Sequence, residues 1–136
     1  MIESYIRFAN NVTIPTIAVY GRKEFYKGAD RELMDIRLAS TVVDEYNFDE
    51  ILLNEKNLET IVLGQSTQNP TNKSGKDEFE HTGYVFLGKR GLDTIDDFLY
   101  YRIILYRRTE EEQRIKNIED KIKQQTLDIA NFAVNM

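Results

Sequence analysis

The side chains best suited to chemistry in this chain are arginines that accompany aromatic residues. A guanidinium group donates two parallel hydrogen bonds to a phosphate, and its flat face, like an aromatic ring, stacks on a nucleobase. The pattern therefore indicates a nucleotide pocket, although cross-strand Arg and Tyr pairs also simply cover sheet faces. The residues concerned are Arg31, Arg37, Arg102, Arg107 and Arg108, with Tyr26, Tyr84, Phe86 and Tyr100.

Groups for catalysis are scarce. The chain has one histidine, His81, and no cysteine, so neither a Ser-His-Asp motif nor a zinc site finds support. Glu110, Glu111 and Glu112 fall in the first turn of a predicted helix, where the helix dipole favours negative charge. We predict a protein that is not an enzyme and uses no metal or cofactor. The alternative of a nucleotide-cleaving enzyme would need His81 as its base.

Composition narrows the partners. A chain of 136 residues suits one domain, 1–136, and a net charge of −5 disfavours nucleic acid. Nowhere do 18 apolar residues run together, and residues 1–20 lack the pattern of a signal peptide, so we expect neither a membrane span nor secretion. The absence of cysteine fits a reducing cytoplasm.

The first third of the chain reads as β-strands. Residues 4–9 alternate, the Asn10-Asn11 pair suits a tight turn, and residues 12–20 form a second arm that Pro15 assigns to a sheet edge. Gly28 then supplies a turn. On the next strand Met34, Ile36 and Leu38 share one face, and the other carries Arg31, Leu33, Asp35 and Arg37. These arginines are either solvated or part of an anion pocket.

The middle of the chain is less regular. Asn47 followed by Glu50 resembles a capping box that opens a short helix, and residues 58–63 read as a strand. Residues 65–83 are polar and without period, which predicts a long loop that is either decoration or a lid. We predict strands at 84–87 and 97–106, with a turn at 88–91 between them. On the last strand Arg102 shares a face with aromatic residues.

A long helix is predicted to end the chain. Thr109 and Glu112 form a second capping box, which places the helix at 108–133, after a β-rich body of 1–107. Its apolar stripe could pack on the protein's own sheet or on the same helix of another copy, and the narrow 3-4 spacing favours a homo-oligomer. The stripe consists of Ile115, Ile118, Ile122, Gln125, Ile129 and Phe132. The predicted fold class is α+β, with an antiparallel β-sheet body, a short internal helix and this C-terminal helix.

The stretch from Ile6 to Leu38 resembles the opening of small phage and prophage proteins of Gram-positive bacteria. They have two strands around an Asn turn, a Gly, and then Tyr-x-Gly-x-x-Arg, which Tyr26, Gly28 and Arg31 match. A strand bearing Arg102 before a long helix also resembles their second half. The family suggested is that of the Thoeris anti-defence sponges.

That resemblance implies a non-catalytic phage protein of the host bacterial cytoplasm. It would bind and sequester a cyclic nucleotide signal, either a cyclic ADP-ribose isomer or also a cyclic oligonucleotide, and so inhibit an immune response of the bacterium. Arg31, beside Tyr26 and Gly28, would close over the ligand, Arg102 would contact its phosphates, and Phe86 or Tyr84 would stack on the adenine. Homo-oligomers would form through the C-terminal helices and the sheet. The alternative function is a structural or assembly protein of a phage particle.

Overall fold

The protein folds into two antiparallel four-stranded sheets, short helices between them and one long C-terminal helix. A computed structural model describes residues 3–66 and 76–134. The strands are β1 Glu3–Arg7, β2 Thr13–Pro15, β3 Ala18–Tyr26, β4 Ala29–Ala39, β5 Thr60–Ser66, β6 Lys76–Thr82, β7 Phe86–Ile95 and β8 Phe98–Tyr106. A 3-10 turn spans Ser40–Asp44, and the helices are α1 Phe48–Leu52, α2 Glu55–Leu58 and α3 Glu110–Val134. The predicted α+β class is confirmed.

The strands divide between two sheets. The first sheet has the order β2-β1-β5-β6, and the second has the order β3-β4-β8-β7. In the second sheet every strand pairs with its neighbour in antiparallel register, with Asp35 opposite both Tyr20 and Ile104. Because opposed residues point to the same side, these three lie on one face, which we call the outer face.

One hydrophobic core joins the inner faces of both sheets. Met34, Ile36 and Leu38 of β4 face this core, as their alternation predicts, and so do Ile6 and Phe8 from the β1 side. The short helices add further apolar side chains, Phe48, Ile51, Leu52 and Leu58. The outer face of the second sheet is thus left for polar and charged side chains, and it carries most of the residues considered below.

The first hairpin is confirmed, but its second arm is shorter than predicted. Asn11 has a positive φ of 69°, as a tight turn requires, and Pro15 ends β2 at the edge of the first sheet. The predicted arm at 12–20 is wrong in one respect, because the chain leaves the first sheet after Pro15 and enters the second at Ala18. Pro15 lacks a backbone N–H and cannot continue the ladder.

The predicted polar loop at 65–83 is largely a strand where the structure describes it. Residues 76–82 form β6 and pair with β5 from Thr60 to Ser66, while 67–75 lie outside the described residues. The predicted strand at 58–63 is displaced toward the C-terminus, because Leu58 ends α2 and β5 runs from Thr60 to Ser66. An edge strand with a solvated face needs few apolar residues, so hydrophobic periodicity misses it.

The predicted turn at 88–91 is wrong as well. Residues 88–91 lie inside β7, where the register shifts between Leu87 and Lys89, and the true turn is Asp96-Asp97, both with positive φ. A β-bulge uses the same Gly-rich sequence as a turn, and aspartate tolerates the left-handed conformation. The strand predicted at 84–87 accordingly starts at Phe86, and Tyr84 lies in the preceding loop.

The capping box at Thr109 is confirmed, and at Asn47 the N-cap hydrogen bond of the predicted helix start is present. The Glu50 backbone N–H donates to the Asn47 side chain at 3.4 Å, and that of Glu112 donates to Thr109 at 3.2 Å. The side chain of Glu112 in return accepts from the Thr109 N–H at 2.8 Å. The long helix therefore begins at Glu110, two residues later than predicted. Across the described residues, no helix is long and apolar enough to cross a membrane.

Gly88 allows a test of the bulge. A Cβ at residue 88 would lie 2.2 Å from the Tyr106 ring, which already stacks on Tyr26 with centroids 3.9 Å apart. We expect Gly88→Ala to lower the free energy of unfolding by about 1–3 kcal/mol, measured by urea denaturation. Gly21→Ala is the control, because its nearest neighbour is 4.0 Å away. Equal stability of the two variants would contradict the close approach.

Candidate functional site

Arg31 is a buried clamp between β4 and the start of α3. Its Nε donates to the Tyr26 carbonyl at 2.7 Å, and its Nη atoms donate to the carbonyls of Lys27 and Arg107, both at 3.1 Å. The same Nη atoms form a two-pronged ion pair with Glu112. The Arg31 side chain is 2% exposed, so the solvated interpretation of this arginine is wrong.

Two further arginines hold α3 to the body. Arg108 is buried and donates to both carboxylate oxygens of Glu59, at 2.7 and 2.8 Å, and to Glu55. Arg107 donates to the Thr82 carbonyl at 3.0 Å and to Glu32 at 3.1 Å. We call this set with Arg31 and Glu112 the helix base. It fixes the first turn of α3, where sequence analysis expected Arg107 and Arg108 to be candidates for ligand contact.

The helix base lowers the pKa of its carboxylates. The hydrogen bond from Arg31 lowers the pKa of Glu112 to about 2, against the opposing effect of burial. In the same way the hydrogen bond from Arg108 lowers the pKa of Glu59. Both carboxylates are therefore charged at neutral pH, and the arginines they face are neutralised. Lys116, one turn further along α3, pairs with Asp120 at 3.2 Å and not with Glu112.

Arg102 lies in a second, separate network on the outer face. Its Nε and Nη2 donate to the two oxygens of Asp35 at 3.0 and 2.7 Å, and Nη1 donates to Asp93 at 3.3 Å. Arg22 donates to Asp35 at 2.8 Å, and Arg37 approaches the same carboxylate at 3.6 Å. We call these five residues the Asp35 network.

Asp35 is fully buried yet charged. Burial by itself would raise the pKa of its carboxyl, but the hydrogen bonds from Arg102 and Arg22 outweigh burial and hold the pKa well below its usual range. The pKa of Arg102 is raised in turn, chiefly by its hydrogen bonds to Asp35. Arg102 is therefore paired within the sheet, and a phosphate that bound it would compete with this carboxylate.

The structure does not bring the predicted ligand residues into one pocket. Tyr26, Gly28, Arg31, Tyr84 and Phe86 surround the helix base, whereas Arg102 belongs to the Asp35 network. The aromatic faces are also in use. Tyr26 stacks on Tyr106, the Arg31 guanidinium lies 4.6 Å from the Phe86 ring centroid, and Tyr84 is buried with its hydroxyl donating to Glu32 at 3.3 Å. Gly28 forms the β3–β4 turn with φ 79° and open space around it.

Arg37 lies in a cleft that sequence analysis did not single out. Its guanidinium lies between two tyrosines, 4.7 Å from the ring centroid of Tyr20 and 5.3 Å from that of Tyr100. Among the described residues, its Nε is the one buried side-chain nitrogen or oxygen atom without a hydrogen-bond partner. The cleft has a volume of about 200 Å³ and is lined by Ile17, Ala18, Tyr20, Arg37, Ile95, Phe98 and Tyr100. We call it the Arg37 cleft.

The Arg37 cleft depends on strand register. Arg37 is opposite Ala18 on one side and Arg102 on the other, and the Asp96-Asp97 turn brings Ile95 of β7 beside Phe98 of β8, so all four strands of the second sheet contribute to its walls. The sequence signal was the alternation that places Arg37 on the outer face with Asp35. That signal does not reveal which tyrosines flank the guanidinium, because they lie on the two neighbouring strands at diagonal positions that only the strand registers determine.

The apolar stripe of α3 is exposed. Ile115, Ile118, Ile122 and Ile129 are 50, 57, 57 and 70% exposed, and Gln125 between them is exposed too. The alternative in which the stripe packs on the protein's own sheet is therefore wrong for these residues. Phe132, the last predicted member, has no described side chain. We call the four isoleucines the isoleucine stripe.

His81 and the acidic residues were the remaining candidates for catalysis or metal binding. His81 lies on β6 with its ring edge-on to Tyr84 at 6.1 Å, and burial, aided by Arg107, lowers its pKa, so it is neutral at pH 7. Within residues 3–66 and 76–134, no group of three or more His, Asp or Glu side chains is arranged to hold a metal ion.

Comparison with protein-family models, with curated proteins and with solved structures found no significant match.

The helix base predicts an acid-dependent loss of stability. Because the pKa of Glu112 is lowered from 4.5 to about 2, its ion pair stabilises the fold fully above pH 4.5 and is lost as the pH falls toward 2. At pH 7 we expect Glu112→Gln to be less stable than the control Glu111→Gln by about 1 kcal/mol, because Glu112 is partly exposed. Urea denaturation at several pH values should show this difference shrinking below pH 4.5. A difference that is independent of pH would contradict the assignment.

Proposed function

We propose that this protein is a non-catalytic structural or assembly protein of a phage particle and that it forms homo-oligomers through α3. The observation that carries the proposal is the isoleucine stripe, which the described body leaves exposed by half or more. A scattered exposed isoleucine needs no explanation, but four at coiled-coil spacing on one helix face indicate an interface.

The attachment of α3 supports this role. The helix has 25 residues and is about 37 Å long, yet the charged contacts that hold it to the body all fall in its first turn or just before it. Arg31, Arg107 and Arg108 use their hydrogen bonds to attach the start of α3 to the body. The result is a helix that is oriented rigidly at its base and projects its apolar stripe away from the sheets.

A second copy of α3 is the natural occupant of the stripe. In proteins, most of the stability of a helix comes from packing of its apolar face and not from helix propensity, so α3 gains stability when its stripe is covered. Burying an isoleucine side chain fully contributes about 1.5–3 kcal/mol, and each of these is about half exposed, so four per helix provide a substantial driving force. Homo-oligomers with closed symmetry are the usual outcome of such self-complementary surfaces.

The internal pairing of the arginines also supports assembly over signal binding. In Arg31 and Arg102, the two arginines expected to hold a phosphate, the guanidinium groups are already paired with Glu112 and with Asp35 and Asp93. A ligand that used them would have to displace carboxylates that also hold the sheet and the helix in place. These two arginines therefore stabilise the fold through their ion pairs, which supports a structural role for them.

Substitution of the stripe tests the assembly. We expect the double variant Ile118→Lys and Ile122→Lys to be monomeric in sedimentation equilibrium, because four charges per dimer would enter the interface, while the wild type is oligomeric. The matched control is Leu127→Lys, which changes an exposed leucine, 58% exposed, outside the stripe. The double variant should weaken association at least 100-fold and the control less than 5-fold. A monomeric wild type at 100 μM, about the upper range of such measurements, would overturn the proposal.

A second candidate function, the sequestering of a phosphate-containing cyclic nucleotide, is favoured by the Arg37 cleft. Arg37 has an unpartnered Nε and only a 3.6 Å contact to Asp35, so it is the arginine of the Asp35 network with hydrogen-bonding capacity to spare. Tyr20 and Tyr100 would supply aromatic surface beside it. A cleft of about 200 Å³ holds one phosphate or one ring, so a nucleotide would extend over the outer face.

Ligand binding at the cleft is tested by thermal shift with cyclic ADP-ribose isomers and cyclic dinucleotides. A true ligand at a hundred times its Kd should stabilise the wild type by about 2.7 kcal/mol and raise its Tm. Arg37→Gln should lose this shift, whereas Arg7→Gln, which changes an arginine of the first sheet, should keep it. No shift with any nucleotide would remove this second candidate and leave the assembly proposal untouched.

A further inference from the structure

The positions of the stripe on α3 define how two copies can face each other. Ile115, Ile122 and Ile129 recur every seven residues, and Ile118 and Gln125 alternate with them, so the first set occupies heptad position a and the second position d. In a parallel pair each core residue meets its own counterpart. In an antiparallel pair, position a of one helix meets position d of the other.

Gln125 distinguishes the two arrangements. In the parallel pair, Gln125 meets the Gln125 of the second copy, and each amide offers donors and an acceptor to the other. In the antiparallel pair that aligns the stripes, Gln125 is buried against Ile122, and its amide has no partner. An unpaired buried amide costs about 1–3 kcal/mol by mutational data, and it would occur twice. A single polar core residue is a known device for fixing register.

Flanking charges are compatible with the parallel pair. Arg114 precedes the first a position and Glu119 follows the first d position, which places them opposite each other across a parallel interface. Arg114 is free to change partners, because its contact with Glu110 is 3.9 Å long and both side chains are at least 75% exposed. Lys121 and Asp128 would make a similar pair in the antiparallel case, so Gln125 carries the distinction.

The base end of α3 has room for a second helix. Ile115 lies only five residues beyond the start of α3 and is still 50% exposed, so the sheet body does not cover the stripe there. A parallel pair would use the stripe from Ile115 onward, with both bodies at the same end of the coil.

We infer that α3 assembles with a second copy of itself in parallel and in register, with Gln125 setting the orientation. This inference rests on the proposed assembly function and adds the geometry of the partner. It also predicts that every body in the oligomer points the same way, so that the outer faces of the second sheets cluster at one end of the coil.

Because the chain has no cysteine, single cysteines can report the orientation. Ile118→Cys should form a disulfide-linked dimer on mild oxidation in the parallel arrangement, while Gln124→Cys, off the stripe, should cross-link at least 10-fold less. A second experiment mixes Ile118→Cys chains with Ile129→Cys chains, one of which carries a tag so that the mixed product can be recognised by its size. In the parallel arrangement this mixture should give no more 118–129 product than the off-stripe control.

The outcomes separate the two proposals. If the protein is oligomeric but the 118–129 product dominates, the arrangement is antiparallel and the inference fails while the assembly function stands. If no variant cross-links above the Gln124→Cys control and the wild type sediments as a monomer, both fail.

The role of Gln125 needs its own variant. When Gln125→Leu is added to both chains of the Ile118→Cys and Ile129→Cys mixture, association should be retained or strengthened, but the ratio of 118–118 to 118–129 product should fall at least 5-fold, since the unpaired amide no longer penalises the antiparallel form. An unchanged ratio would overturn the assignment of orientation to Gln125.

Discussion

The second sheet depends on one buried carboxylate. Asp35 has no exposed surface, and it forms ion pairs with Arg22 of β3, Arg37 of its own strand and Arg102 of β8. Asp93 of β7 forms a further ion pair with Arg102. Three strands of the sheet therefore meet at one anion, and β7 is linked to it through Arg102. Removal of one partner from such a buried pair typically costs about 3–5 kcal/mol, because the remaining charge is left uncompensated. The outer face can carry several arginines only because this carboxylate is in their midst.

The same use of arginine explains the long helix. Arg31, Arg107 and Arg108 attach α3 through the carboxylates of Glu112, Glu32 and Glu59, and the two networks share no residue. Arginine suits both tasks, since its planar fork binds a carboxylate at two points and stays charged when buried. The body is thus held by charge at its outer face and by apolar packing within, and α3 carries a row of four isoleucines that the body leaves exposed. This division supports an architecture built to assemble.

Local features of the fold were predictable from residues close together in the chain. Several features follow from short-range rules and are present: the Asn11 and Gly28 turns, the N-caps Asn47 and Thr109, the edge position of Pro15, and the inward face of Met34, Ile36 and Leu38. The strand β6 and the bulge at Gly88 could not be predicted from the sequence, for physical reasons. Pairing with β5, not its own hydrophobicity, makes β6 a strand, and a Gly-Lys-Arg-Gly sequence is equally suited to a turn and to a bulged strand.

The sequence by itself determined the α+β class, the long C-terminal helix with its heptad stripe, and the set of arginines from which any site must be built. Tertiary structure decided what those arginines do. Arg31 and Arg102 are the clearest case, because both lie beside aromatic residues as predicted, yet their charges are neutralised by Glu112 and Asp35, which come from other strands or helices. Ion-pair partners are chosen by cross-strand register and by the docking of α3, and neither can be read from spacing along one chain. The exposure of the isoleucine stripe has the same origin, since only the fold shows that the body's own core is already complete without it.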